Sequence, residues 1–203
     1  MAAASPLLGA LGPIGVLIGI GLVVKAIADS NDEEREKRTA LEQYWLRRRE
    51  QARGAVLGAA RRIQNVAGLQ SLPPFVEAPG TRNAWVLGEV VYYDPDWIME
   101  LLEDHCNDRT CNTSVVVGLV AHELGHWVYG DTYDFATHSW RKEYRADAWA
   151  AKVLAALGIP ASHFRCVIEV LDPNGGRSHP PGPYRAEHIR VVYLRALGYR
   201  VAA

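Results

Sequence analysis

The chain has 203 residues, 49 % of them apolar and 22 % charged, with a formal net charge of −1. That composition supports one folded domain with a sizeable core plus a short extra segment, and it excludes disorder over most of the length. Bulk charge gives no reason to expect a nucleic-acid partner, and three cysteines are too few for a disulfide scaffold.

Residues 7–24 carry no charge, and Lys25 is the first charged side chain. Eighteen or so apolar residues match the length of a bilayer-spanning helix, so residues 1–28 read as a membrane anchor. The small-x-small triplet Ala26-Ile27-Ala28 offers an alternative, a signal peptide cleaved after Ala28. Seven Lys and Arg follow the apolar run before residue 50 and none precede it, which predicts a single-pass protein of the cell membrane with its bulk in the cytoplasm. Residues 29–47 form a charged helical linker within a solvated helix expected over 30–50. The compact domain then covers 48–203. Ala52, Ala55, Val56, Ala59, Ala60, Ile63 and Val66 recur at helical steps and predict one buried face, ended by Gly68 and Pro73-Pro74.

Aromatic and β-branched residues over 83–93, with Gly88 in the middle, predict two short strands or a bent hairpin. Asp94 caps a helix opened by Pro95. Residues 104–113 read as a loop, in which Cys106 and Cys111 either close a small disulfide or remain thiols; Cys166 reads as a small core residue. Thr113 or Ser114 caps a helix from Val115 to Tyr129 that Gly130 closes. Further helices are expected over about 140–157, from Pro160 to Leu171, and over about 184–197, with a loop over 172–183. The fold class is therefore α+β and mostly helical, with a small hairpin or sheet.

His122-Glu123-Leu124-Gly125-His126 carries the chemistry. Helical residues four apart share a face, so both imidazoles can reach one Zn²⁺. Glu123 projects beside them, where it can take a proton from the attacking water. The preceding VVVGLVA is apolar, so the helix is buried, and two histidines and a glutamate there need a purpose to offset their desolvation. A zinc hydrolase needs a third ligand, and Glu143, seventeen residues on, supplies it. Asp147 shares its face and can orient a ligand imidazole. His138 lies where no metzincin spacing is met and reads as a loop residue.

These segments resemble the gluzincin metallopeptidases that include the CAAX prenyl proteases, the HtpX-type heat-shock proteases and the compact minigluzincins. HELGHW (122–127), EYRADAWA (143–150), NAWVLG (83–88) and HPPGPYR (179–185) carry the resemblance. It implies a zincin-like catalytic domain; the one transmembrane helix predicted before it departs from the large members, which have several. It implies one zinc ion on His122, His126 and Glu143, with Glu123 as base and then acid and Asp147 orienting a histidine. It also implies His179 and Arg185 near the oxyanion, and Asn83, Ala84, Trp85 and Val86 binding a peptide along a strand edge. The expected function is a membrane-tethered zinc endopeptidase acting on peptides or unfolded proteins. The alternatives are a non-catalytic zinc-stabilised binding or adaptor module, and a hydrolase of non-peptide amides.

Overall fold

The structure, a computed structural model, describes residues 13–104, 109–171 and 173–201. The chain divides into two compact units, Met1–Leu46 and Arg47–Ala203. Helix α1 (Pro13–Ala67) contributes to both. Two separate helices were expected over this stretch, but no proline follows Pro13 before Ala67 to end the first of them. In the first unit, Asp32–Arg35, Glu33–Lys37 and Glu34–Arg38 form exposed ion pairs at helical spacing. Among the described residues no helix is long and apolar enough to cross a membrane. Residues 1–12 of the expected anchor lie outside the described residues.

The second unit is α+β and mostly helical. Its portion of α1 buries Ala52, Val56, Ala59, Ala60 and Ile63, whereas Val66, expected on the same face, is exposed in the final turn. Strands β1 (Phe75–Glu77), β2 (Ala84–Leu87) and β3 (Val90–Tyr93) make a sheet in the order β1-β3-β2. β2 and β3 are the expected hairpin, with Leu87 opposite Val90 and a two-residue turn between them. Gly88 takes the first turn position at φ 60°, the left-handed value that glycine adopts without steric cost. β1 was not foreseen. Three residues are too short to show an alternating pattern, and its pairing, parallel to β3, is long-range.

Asp94 caps helix α2 (Pro95–Asp104) as expected, its Oδ1 accepting from the Asp96 N–H at 2.9 Å. Its Oδ2 accepts from the Arg82 N–H at 2.8 Å and so pins the turn before β2. Helix α3 (Arg109–Val128) begins within the expected loop, six residues before the predicted start. Asn112 is buried there and donates to the Leu102 carbonyl at 3.0 Å, so packing against α2 overrides the weak helix propensity of its Asn and Thr residues. Thr113 and Ser114 consequently sit inside the helix rather than capping it, and Ser114 Oγ donates back to the Thr110 carbonyl. Cys111 is disulfide-bonded. Cys106, its expected partner, lies outside the described residues, as does the Cys166 side chain.

From Ser114 to Gly125 α3 is buried throughout, as its apolar run requires, by α2, the sheet, and helices α4 (Ser139–Ala156) and α5 (Ala161–Leu171). Helix α6 (Gly182–Ala196) packs on α4 and α5. Two glycines set how closely α3 meets its neighbours. A Cβ on Gly118 would come to 2.5 Å of the Phe164 ring, and one on Gly125 to 3.0 Å of the Ala146 Cα.

Candidate metal centre

The close approach at Gly125 has a chemical consequence. Gly125 and Ala146 each precede a site residue, so their contact brings His126 and Asp147 to the same level of the α3–α4 interface. On α3, His122 and His126 stand one turn apart. On α4, Glu143 and Asp147 do the same, and both are buried at 7 % and 0 % exposure. Among the described residues, His122, His126 and Glu143 are the group whose ligand atoms converge.

The distances fit a specific coordination. His122 Nε2 and His126 Nε2 are 3.1 Å apart. Glu143 Oε2 is 3.4 Å from the first and Oε1 is 3.4 Å from the second. Ligands held at about 2.0–2.1 Å in a tetrahedron lie about 3.3 Å from one another. The other ring nitrogens are occupied. Asp147 Oδ1 is 2.9 Å from His122 Nδ1, and Asp131 Oδ2 is 2.7 Å from His126 Nδ1. A proton on each Nδ1, donated to its aspartate, leaves two Nε2 lone pairs facing each other; Arg185 Nη2 stands 3.4 Å from the His122 one, and a cation or proton between the two would relieve both. Glu143 Oε2 is also buried and accepts no hydrogen bond, although Arg185 Nη2 lies 3.2 Å away. The donor set therefore fits Zn²⁺, or a similar divalent ion that takes nitrogen and oxygen.

Asp131 was not foreseen, yet the sequence carries a signal for it. α3 ends with the Asp131 N–H bonded to the His126 carbonyl at 3.0 Å and the Gly130 N–H bonded to the Trp127 carbonyl at 3.0 Å, with Gly130 at φ 64°. This is a Schellman ending. It places the residue after the glycine against the residue three before the helix cap, where a hydrophobic contact is usual. Here those positions hold an aspartate and a histidine, so Gly130-Asp131 after His126 was the readable clue. Arg145 ion-pairs with the other Asp131 oxygen and lies 4.6 Å over the Tyr129 ring. Lys142 Nζ donates to the Asp131 carbonyl at 2.8 Å and to the Asp134 carbonyl. Asp131→Asn weakens the charge on the His126 side of the centre, and zinc affinity should fall by about 10–100-fold, read by competition with a chromogenic chelator. An unchanged affinity would show that Asp131 only ends the helix.

Arg185 sits in the first turn of α6 at 5 % exposure. Its Nε and Nη2 donate to the two Asp147 oxygens at 2.8 Å each. The guanidinium thus fixes the Asp147 carboxylate and stands as an ion-pair partner to Glu143. His179 lies in the loop before α6, with Nε2 3.5 Å from Glu143 Oε1 and Nδ1 2.8 Å from Ser178 Oγ. Ser139 Oγ and Trp140 Nε1 hold that loop through the Arg177 and Gly176 carbonyls. His138 caps α4, accepting from the Trp140 N–H.

Electrostatics follow from this packing. Burial raises the Glu123 carboxyl above its ordinary value. Burial also opposes the charged forms of both histidines, but the carboxylates around them prevail. His122 is raised by Asp147 and Glu143, and His126 is raised to about 10 by Asp131 and Glu143. Glu143, despite its burial, is held below the usual carboxylate range by His122 and His126.

Beside the centre opens a cavity of about 290 Å³, lined by Asn83, Ala84, Trp85 and Val86 on one side and by Glu123, His126 and Glu143 on the other. β2 is an edge strand. The Asp94 N–H bonds the Asn83 carbonyl, so by the antiparallel alternation Asn83, Trp85 and Leu87 point their backbone groups at β3. Ala84 and Val86 then face the cavity. Asn83 Oδ1 accepts from the Ala84 N–H at 2.9 Å.

The fold and site together define an α+β protein with a buried cluster of two histidines and a glutamate beside a strand-edged cleft. No protein-family model, curated protein or solved structure matches the chain.

Proposed function

We propose that this protein is a zinc-dependent endopeptidase that hydrolyses peptides or unfolded protein segments, tethered to a membrane by its N-terminal apolar segment. The observation that carries the reading is the convergence of two imidazole nitrogens and a carboxylate, each nitrogen 3.4 Å from one of its oxygens, next to a buried glutamate and the edge strand β2. His122, His126 and Glu143 would hold the ion. Zinc bound there supplies a Lewis acid that polarises a carbonyl and makes water a nucleophile near neutral pH.

The chain's own groups do the rest. Val86 offers an N–H and a carbonyl to a substrate backbone laid along β2, and Ala84 offers a carbonyl. Glu123, raised by burial, accepts the proton of the attacking water and returns it to the leaving amine. Asp147 and Asp131 hold the imidazoles in the tautomer that presents Nε2. Arg185 keeps Glu143 and Asp147 from repelling each other. His179, at the rim of the cleft, is placed to donate to the oxygen that gains charge in the transition state. Glu123, buried beside the ligand group without belonging to it, supports hydrolysis over the adaptor reading, which needs no base. The disulfide at Cys111 favours an oxidising side of the membrane over the cytoplasmic one.

The direct test is digestion of an unfolded protein by material loaded with one equivalent of zinc. Activity should disappear with chelator and return with zinc, and His122→Ala should bind no metal. A metal-loaded protein that digests nothing would overturn the reading.

The raised histidine values also set the pH dependence of metal uptake. Below those values each imidazole holds a proton that zinc must displace. Binding at pH 7 should therefore release about one to two protons, measured by calorimetry in buffers of different ionisation enthalpy. Affinity should rise with pH toward the His126 value of about 10. Uptake without proton release would contradict the assigned histidine environment.

A further inference from the structure

The open edge of β2 stops at Val86. Leu87 turns its backbone groups to β3, and the turn at Gly88 follows. A polypeptide laid along β2 and running past Val86 therefore finds no further backbone partner on that strand. Exposed apolar side chains stand there instead: Leu87 at 59 % exposure, Tyr133 at 59 % and Phe135 at 93 %. They continue the two walls of the cleft. β2 forms one wall, and Asp131 and Thr132 belong to the other, which Tyr133 extends. The walls meet at this end, since a Cβ on Gly88 would come to 3.4 Å of the Tyr133 hydroxyl.

The loop that carries Phe135 is tied down on both sides of it. Asp134 Oδ1 accepts from the Ala136 and Thr137 N–H groups at 3.2 and 3.0 Å. Arg145 ion-pairs with Asp134 Oδ2 at 3.5 Å, and Lys142 donates to the Asp134 carbonyl. The ring is thus held out in water, where its apolar surface contributes nothing to the fold. The acids beside the patch have partners within the protein: Asp134 as described, and Glu89 Oε2, which accepts from Trp127 Nε1 at 2.8 Å. A surface held this firmly needs little ordering when a chain settles on it.

Given the peptidase reading above, on which this rests, we propose that Leu87, Tyr133 and Phe135 form a docking surface outside the cleft for an apolar stretch of the substrate chain, and that it selects long unfolded polypeptides over short peptides. The continuity of the surface with both cleft walls names the substrate chain as its occupant. The cleaved bond falls near Ala84, which lines the cleft together with Glu123. A strand advances about 3.3 Å per residue, so Leu87 lies about 10 Å further on, and the docked stretch begins about three to six residues from the cut. A short peptide ends before reaching it.

The test uses peptides that share one cleavage sequence and are cut by the zinc-loaded full chain. Each is lengthened on one side or the other by about eight residues, with a Leu-Phe or a Ser-Ser pair about four to six residues from the cut. On one side only, the Leu-Phe extension should raise kcat/KM about tenfold over the Ser-Ser extension. The gain should lie in KM, because residues docked away from the reacting bond bind alike in the ground and transition states. Phe135→Ser should remove most of that ratio, and Tyr133→Ser should lower it; zinc content reports whether each variant has folded. Affinity of the same peptides for Glu123→Gln, read by fluorescence anisotropy, supplies a measure free of turnover and should show the same preference. Equal kcat/KM for the two extensions, or a ratio that Phe135→Ser leaves intact, would overturn the docking surface and leave the peptidase standing. A dimer of the wild type that Phe135→Ser dissociates in sedimentation, with the ratio intact, would give the patch to a second copy and likewise overturn it. No cleavage of any peptide would overturn the peptidase reading, and this assignment with it.

Discussion

Replacing Glu123 by Gln should reduce the digestion of an unfolded protein by about 10²–10⁴-fold while zinc remains at one equivalent. The substitution keeps the shape of the side chain and removes its ability to accept a proton. Glu123 is 5 % exposed and lines the cavity beside the centre, but it is not one of the three converging ligand groups. Loss of turnover with metal retained is therefore the signature expected of a base rather than a ligand. His122→Ala should instead lose metal and activity together. The burial of Glu123 should also place the acid limb of the wild-type pH–rate profile above the ordinary glutamate value, because a carboxyl raised by desolvation is protonated at a higher pH. Full activity in Glu123→Gln would remove it from the mechanism, whatever the metal content.

Asp147→Ala should cost about 3–5 kcal/mol of stability. Asp147 is fully buried, accepts both bonds from Arg185 and one from His122 Nδ1, and its carboxyl is held below the usual range, burial notwithstanding, by Arg185 and His122. Its removal leaves a guanidinium at the α4–α6 interface with Glu143 as its remaining anion. The desolvation cost of that charge is then no longer compensated. For a unit of this size the loss corresponds to a fall in Tm of about 6–20 °C, measured by thermal unfolding in excess zinc. Asp147→Asn, which keeps an acceptor for Arg185, should cost less. A loss under about 1 kcal/mol in the alanine variant would mean that water replaces the carboxylate.

Much of the architecture can be read locally. The steps Ala52–Val56–Ala59–Ile63 describe a buried helical face, and the glycine between two β-branched runs describes a hairpin; both follow from backbone period and turn chemistry. The same period placed His122 beside His126, and Glu143 beside Asp147. The start of α3 was hidden because Asn112 is helical only through its bond to α2. β1 was hidden because its partner lies far along the chain. Asp131 could have been found, since a glycine-ended helix directs the next residue back onto its last turn.

By itself, then, the sequence determined which side chains share each helix face and which residue types could bind a metal, because these depend on neighbours within a turn or two. Tertiary structure decided that the two faces meet. Gly125 against Ala146 lets α3 and α4 approach until the two Nε2 atoms stand 3.1 Å apart and each lies 3.4 Å from one Glu143 oxygen, and α6 then inserts Arg185 between two carboxylates. No local pattern encodes that approach, because it is set by side-chain volumes on elements distant in sequence.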